Sequence, residues 1–374
     1  MKSLKLKSFI GAIIPLCAVS LALMIGAIML LSLGANPLSG YATMFSAAFG
    51  SLEGFSETTV KSIPLLLVGV GICIAFRANV INIGGEGQMV MGALLATAVA
   101  LVFPGVPSLL LIPMVLMAGA IGGAFWGAIA GALKAYFNVS EILSTIMLNI
   151  VAVQFMNFLL RGIMIDPGEI ERGTGIPQTM RLSENADLPI LLEGMRMHLG
   201  VVVALLVAVG AYFLLWRTAI GFRLRSVGYN PDASRYAGIS VPKNVTAALA
   251  FSGAMAGIAG AILVFGSESH RMVTDGGSTG FTGSAGFNGI VVALLAGLHP
   301  LWSIPSALLF GGMLVGANAL QRVAQVPSAL IIALNGLIVV FVVSSEYFKQ
   351  RYAQAGRVDE ADDNDEIVGG GNNE

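Results

Sequence analysis

Charge is scarce in this chain. Of 374 residues only 11% are Asp, Glu, Lys or Arg while 56% are hydrophobic, and the mean hydropathy is +0.84. Soluble domains carry roughly 25% charged residues, so a soluble globular fold is excluded. Cysteine is rarer still: Cys17 and Cys73 both sit in apolar runs, where a thiol behaves as a small hydrophobe, and neither a disulfide framework nor a metal-binding spacing is formed. His198, His270 and His299 show no HExxH arrangement, and each reads as an interfacial residue rather than a ligand. No lysine follows a glycine anywhere, which rules out the GxxxxGK[ST] phosphate loop. The net charge of −1 gives no footing for nucleic-acid binding.

What the chain has is apolar length. About ten runs approach the roughly 20 residues that a helix needs to cross a bilayer core, which predicts an all-α polytopic membrane protein with about ten transmembrane helices. Lys2, Lys5 and Lys7 precede the first run, residues 9–33, which is too long for the core of a cleaved signal and reads as a retained span. Arg77 and Lys134 follow the second and fourth runs, and basic residues collect on the cytoplasmic side, so both termini are placed inside. Residues 34–59 read as an interfacial segment. An odd number of spans in each half would make two inverted repeats of roughly five helices, a plan common among transporters. Residues 76–92 and 281–297 share a loose glycine-rich, polar-then-apolar pattern. The expected division is a cytoplasmic N-terminus (1–8), a membrane domain (9–349) and a cytoplasmic tail (350–374) too poor in apolar residues to fold. Within the membrane domain, 166–197 form an extracytoplasmic loop and 217–244 a cytoplasmic one, and the last four crossings fall near 245–265, 285–298, 302–320 and 328–347.

The second of those loops contains GFRLRSVGYNPDASRYAGISVPKN, residues 221–244, a loop-like island between apolar runs. Arg217, Arg223, Arg225, Arg235 and Lys243 lie in or beside it against one acid, Asp232, which puts it on the cytoplasmic side. Asn230 suits an N-cap, Pro231 the first helical position and Asp232 the positive end of the dipole, while Gly238 is a good stop. A helix of about two turns is predicted from Pro231 to Ala237. Ala233, Tyr236 and Ala237 share a face flanked by Arg235 and Asp232, a small apolar surface for a partner. An ordinary loop between spans is the plainer alternative.

Polar residues intrude elsewhere. In FRANVINIGGEGQMVMG, residues 76–92, Asn79, Asn82, Glu86 and Gln88 are costly in hydrocarbon and Gly84, Gly85 and Gly87 disfavour a regular helix. A broken helix lining a pathway and a cytoplasmic loop both accommodate that pattern. The glycine-, serine- and threonine-rich residues 266–290 supply a second candidate: 266–275 read as an extracellular loop, whereas Phe281 and Asn288 are candidates for the pathway, with Phe281 and Phe287 able to stack on a flat ring. Glu141, Thr145 and Asn149 share a helix face that is expected to point into the bundle. Gly119, Gly123, Gly127 and Gly131 recur every four residues, and Gly253 and Gly257 repeat the device; these read as helix-packing stripes.

Several of these segments resemble ABC importer permeases of the branched-chain amino acid, ribose and nucleoside group. Residues 230–239 resemble their coupling helix, with small residues at Ala233 and Ala237 before Gly238 and Ile239, and with FSGAMAGIAGAI following at 251–262. Residues 76–88 resemble the FRAGxxNIGxEGQ signature of the nucleoside-type members: Arg77, Asn82, Ile83, Gly84, Glu86, Gly87 and Gln88 fit, and Asn79 stands where the pattern has glycine. NPLSGY, residues 36–41, strengthens the nucleoside likeness. The resemblance implies a nucleoside permease in the bacterial cytoplasmic (inner) membrane. It implies partners as well: a cytoplasmic ABC ATPase that binds ATP and Mg, a second and different permease subunit, and an extracytoplasmic binding protein. No cofactor or metal is expected in this chain itself, and no enzymatic activity. A permease for ribose or another simple sugar is the alternative within the group. An ion-coupled secondary transporter is the alternative outside it, disfavoured because few acids lie deep in the apolar runs.

Overall fold

The computed structural model describes residues 20–21, 23–32, 34–267, 269–274 and 277–324, with single positions at 333, 336, 337, 340, 341 and 344. The start of the first expected span, most of the last expected span (328–347) and the tail fall outside the described residues. Two compact units divide the chain, Met1–Met44 with Ala317–Glu374, and Phe45–Gly316. In the first, Leu30 and Leu320 are buried with Ala35, Tyr41 and Met44 packed against them. Helix α1 (Leu23–Ser32) bends by 117° into α2 (Pro37–Phe49).

Among its described residues the second unit is mostly helical, and its only strand-like pairings are two isolated bridges. It runs through α3 (Leu52–Arg77), α4 (Gly85–Val102), α5 (Ser108–Phe137), α6 (Glu141–Arg161), α7 (Pro167–Glu171), α8 (Gly200–Arg217), α9 (Ala219–Tyr229), α10 (Pro231–Tyr236), α11 (Val241–Phe265), α12 (Ser278–Thr282), α13 (Ala285–Leu295) and α14 (Ser303–Ala324), the last ending in the first unit. Among the described residues seven helices are long and apolar enough to cross a membrane, or eight if the bent α1–α2 pair is one span.

Three departures from the expected layout have local causes. α3 starts at Leu52, inside the segment read as interfacial, because the Ser51 hydroxyl caps it by accepting from Gly54 N at 3.0 Å. The basic island is not loop-like: Thr218 caps α9 by accepting from Gly221 N at 3.1 Å, and residues 219–229 are helical. The eighth expected span, near 285–298, is only an 11-residue helix, ~17 Å long. It stops because Gly297 and Leu298 take positive φ (61° and 57°) and their N–H groups close on Leu294 O and Ala293 O at 2.9 Å each, a Schellman-type ending.

α11 is the central helix, packed on α5, α4 and α3. Glycine makes that possible. A Cβ at Gly123 would stand 2.1 Å from Gly253 O, one at Gly257 2.0 Å from Gly119 O, one at Gly127 2.3 Å from Leu249 O, and one at Gly131 2.8 Å from Thr246 Cα. α4 enters the same seam: a Cβ at Gly92 would lie 2.3 Å from Gly257 Cα, and one at Gly260 2.0 Å from Met89 O. Backbones this close gain dispersion energy in a medium where burial of apolar side chains alone drives little association.

Residues 162–199 fold back as a cap rather than a free loop. Thr179 N donates to Met272 O (3.0 Å), Leu182 N to His270 O (2.7 Å) and Leu188 N to Phe265 O (3.0 Å), while Asp187 pairs with His270 at 2.7 Å. Inside the cap the buried Glu169 accepts from Gln178 Nε2 at 2.9 Å and from the Thr174 hydroxyl.

The glycine seam predicts that Gly123→Ala or Gly257→Ala lowers stability by ~1–3 kcal/mol or more, read as a fall in melting temperature of the detergent-solubilised protein. Gly210→Ala, where an added Cβ meets nothing within 4 Å, is the control; equal melting temperatures across the three variants would refute the seam.

Candidate functional site

The polar signature after α3 folds back along the end of that helix. α3 ends with a Schellman closure, Asn79 N to Phe76 O (3.0 Å) and Val80 N to Ala75 O (3.2 Å), and the αL position, φ 56°, is Asn79. Asparagine tolerates that conformation best after glycine, which accounts for the residue found where the resembling pattern has glycine. Asn79 is exposed. The chain then doubles back so that Gly85, the first residue of α4, lies beside Val68, its Cβ position 3.1 Å from Val68 Cγ1. That is nine residues short of the α3 terminus, ~14 Å along the helix.

A helix that begins inside protein needs partners for its first N–H groups, and side chains supply them. Asn149 on α6 accepts from Gly87 N at 2.8 Å and donates to Ile83 O at 3.0 Å. Asn82 accepts from Gly84 N at 2.8 Å. Its Nδ2 donates to Gln88 Oε1 (2.9 Å) and to Ser252 Oγ on α11 (2.7 Å), and Gln88 Nε2 returns a bond to Asn82 Oδ1 (3.1 Å). Thr145 donates to Glu141 O at 2.6 Å, within its own helix. Asn82, Gln88 and Asn149 are therefore buried and satisfied by protein.

Glu86 performs the same service for a different helix. Only 1% exposed, it accepts from the Thr282 hydroxyl and, through Oε1, from Gly286 N at 3.0 Å and Phe287 N at 3.3 Å. The last two are first-turn donors of α13, at the positive end of its dipole. The first turns of α4 and α13 thus meet: a Cβ at Gly286 would stand 2.4 Å from Glu86 N. On the outer side of this junction Phe287 is 44% exposed, Phe281 and Asn288 are half-buried, and the Asn288 side chain makes no hydrogen bond among the described residues. The sequence candidates therefore separate into a satisfied frame (Asn82, Glu86, Gln88, Asn149) and an accessible rim (Phe281, Phe287, Asn288).

α10 has the opposite character. Asn230 accepts from Asp232 N and Ala233 N at 3.0 Å each, Pro231 occupies the first turn, and Arg235 pairs with Asp232 at 3.3 Å. Gly238, φ 78°, ends it with Gly238 N to Arg235 O (3.0 Å) and Ile239 N to Ser234 O (2.9 Å). Ala237 is the C-cap, one residue short of the expected helix. Only Ser234 faces inward; Ala233, Ala237 and Gly238 are exposed, and Tyr236 is 95% exposed.

Sequence reasoning missed two groups. Thr282 and Ser252 carry no pattern beyond being hydroxyls in glycine-rich stretches. The other is a cluster at the end of α3, where Arg77 Nη2 donates to Leu298 O at 3.1 Å and its Cζ lies 5.2 Å from the centre of the Trp216 ring. Trp216 stacks on Tyr212 (5.2 Å) and meets His299 (5.1 Å). Burial, and after it the Arg77 charge, lowers the pKa of the His299 imidazole. A separate cavity of about 600 Å³ near the end of α11 is lined by Glu57, Lys61, Asp187, Arg196 and His270 among others. Among the described residues no group of His, Cys, Asp and Glu could hold a metal ion.

Helices long and apolar enough to cross a membrane, packed around a helix that begins inside protein, define a polytopic membrane protein. Residues 54–343 match the family described as branched-chain amino acid transport system, permease component, and the chain belongs to that family: it is the permease subunit of an ABC importer. It is 37% identical over 338 residues to the guanosine ABC transporter permease protein NupP of Bacillus subtilis, covering 89% of this chain and 93% of that one. It is 32% identical to the nucleoside ABC transporter permease protein NupB of Lactococcus lactis, over 88% of this chain and 90% of the relative. It is also 32% identical to the glucose ABC transporter permease protein TsgB13 of Haloferax volcanii, over 90% and 88%. The family sets aside an ion-coupled secondary transporter.

Asn149→Ala leaves Gly87 N and Ile83 O without partners, so a loss of ~1–3 kcal/mol is expected, whereas Asn149→Asp keeps the acceptor and loses less. Thermal unfolding of the two variants measures the difference; Ala and Asp at parity would show that water replaces the amide.

Proposed function

We propose that this chain forms a nucleoside pathway whose opening is driven from α10 by a separate cytoplasmic ATPase. The observation that carries the reading is α10 itself: a two-turn helix capped at both ends, with Tyr236 95% exposed, in a chain with no phosphate loop of its own. A short helix held in shape by Asn230 and Gly238 but buried on one residue only has its surface turned to a partner. ATP and Mg belong to that partner, and this chain carries no cofactor. A second, related permease completes the pathway, and an extracytoplasmic binding protein delivers substrate over the 162–199 cap.

The nucleoside assignment is supported by NupP and NupB, named for guanosine and nucleosides. The rim chemistry agrees with it: Phe281 and Phe287 offer flat apolar faces to a base, and Asn288 an amide that makes no hydrogen bond among the described residues. Asn82, Glu86, Gln88 and Asn149 serve transport by holding the rim in place, and Asn79 by shaping the turn before it. The plan is ten spans in two inverted repeats, in a bacterial inner membrane, with both termini and the tail inside. The meeting of α4 and α13 at their first turns supports the repeat, since residues 76–92 and 281–297 then occupy corresponding places. A simple sugar is the second reading, favoured by TsgB13.

Cells lacking endogenous nucleoside uptake and expressing the whole importer are expected to accumulate labelled guanosine, with glucose and ribose competing poorly; sugar uptake without nucleoside uptake reverses the assignment. Gly238→Val, which forces a branched side chain into φ 78°, and Ala233→Trp are expected to abolish uptake while membrane levels stay constant. Unimpaired uptake in both would sink the docking role of α10.

A further inference from the structure

We propose that residues 77–86 form a two-point clamp on α13, with Glu86 gripping its N-terminus and Arg77 its C-terminus, and that Arg77 is the positioning residue through which movement of the α9–α10 arm reaches the pathway rim. The inference rests on the reading of α10 as the ATPase-docking helix. Three sets of contacts carry it.

First, the clamp has matching polarity. Glu86 accepts from Gly286 N and Phe287 N in the first turn of α13, and Arg77 donates to Leu298 O at 3.1 Å, just beyond its last turn. Leu298 N in turn closes the helix on Ala293 O. A carboxyl acceptor at the N-terminus and a guanidinium donor at the C-terminus is the arrangement that the helix's unmet backbone groups and its dipole favour. Both residues flank the one stretch, 78–84, that connects α3 to α4, so α13 is held from both ends by a single piece of chain.

Second, the clamp is mechanically joined to the arm. Only Asn230 separates α9 from α10, and it both ends the first and caps the second. α9 buries Leu224 and Val227, and its Gly228 rests on the end of α3: a Cβ there would stand 2.1 Å from Arg77 O and 3.0 Å from Ala78 C. Backbone packed on backbone leaves no side-chain slack to absorb a displacement. A shift of α9 therefore displaces the Arg77 end of α3.

Third, the guanidinium is positioned from another side. Trp216 lies under it at 5.2 Å, and Trp216 is the penultimate residue of α8, which turns into α9 at Thr218. Arg77 thus touches the arm at Gly228, the end of α8 that leads into the arm at Trp216, and also the end of α13. At the other end of α13 sit Phe287 and Asn288. An 11-residue helix fixed at both termini moves as a body, so displacement at Leu298 appears at the rim.

The test is made on the complete importer in proteoliposomes, comparing wild type, Arg77→Ala, Arg77→Gln and Arg77→Lys. Arg77→Ala is expected to co-purify with the ATPase and keep basal hydrolysis within about twofold, while uptake falls about tenfold or more. Arg77→Gln, which keeps a donor for Leu298 O without the charge, is the measure if Ala does not fold, and the same split is expected. Arg77→Lys, which keeps charge over Trp216, is expected to recover part of the uptake. Uptake within about twofold of wild type in both Ala and Gln variants overturns the proposal. Loss of ATPase association in them overturns it too, because Arg77 would then shape the docking surface instead of relaying its motion. An ATPase that stays bound to, and productive with, the α10 variants Gly238→Val and Ala233→Trp defeats the docking reading alone.

Discussion

A helix end placed where water is absent must find partners for its backbone groups in protein, and this structure is organised around meeting that demand twice. α4 and α13 both begin in the interior, nearly touching. At the start of one, Asn82 takes Gly84 N and Asn149 takes Gly87 N; at the start of the other, Glu86, which itself belongs to the first turn of α4, takes Gly286 N and Phe287 N. Each start therefore depends on the other. Moving either helix away would strand donors in a site with no solvent, at roughly 1–3 kcal/mol for each unmet group.

The rest of the large unit serves that junction. Ser252 reaches Asn82 only because α11 lies against α4 at Gly92, Gly257 and Gly260, and α6 brings Asn149 to Gly87 at backbone distance. Side chains larger than hydrogen at these positions would hold the helices apart and pull the amides out of reach. The glycine seam and the polar junction are in this sense one device. Rigidity at that point contrasts with α10, whose caps preserve its shape while nearly all its surface stays open. The protein joins a stiff interior to an outlying handle, with α9 and the end of α3 between them.

Capping chemistry made α10 legible before any coordinates: Asn230, Pro231, Asp232 and Gly238 act within a few residues of one another, and the local rules for each agree. The long crossing helices were legible for a similar reason, since apolar length and flanking charge are local properties. α9 was not, because its polar and apolar residues look like a loop until Thr218 caps it and Leu224 and Val227 find a buried face. The extent of α13 was hidden as well. Its apolar run continues past Leu295, and only Gly297 and Leu298 in left-handed conformations, with Arg77 on the Leu298 carbonyl, end it there.

The amino-acid order alone determined that the chain lies in a membrane, that it cannot hydrolyse a nucleotide through a phosphate loop, and which residues are polar where polarity is expensive. Composition and short-range capping decide these matters, and neither needs long-range packing. Tertiary structure decided what the polar residues do. Glu86 meets Thr282 across 196 residues of sequence and Arg77 meets Leu298 across 221, and no periodicity or motif encodes a partner at that distance. The candidates divided into an inner frame and an open rim only when the fold brought their hydrogen-bond partners to them.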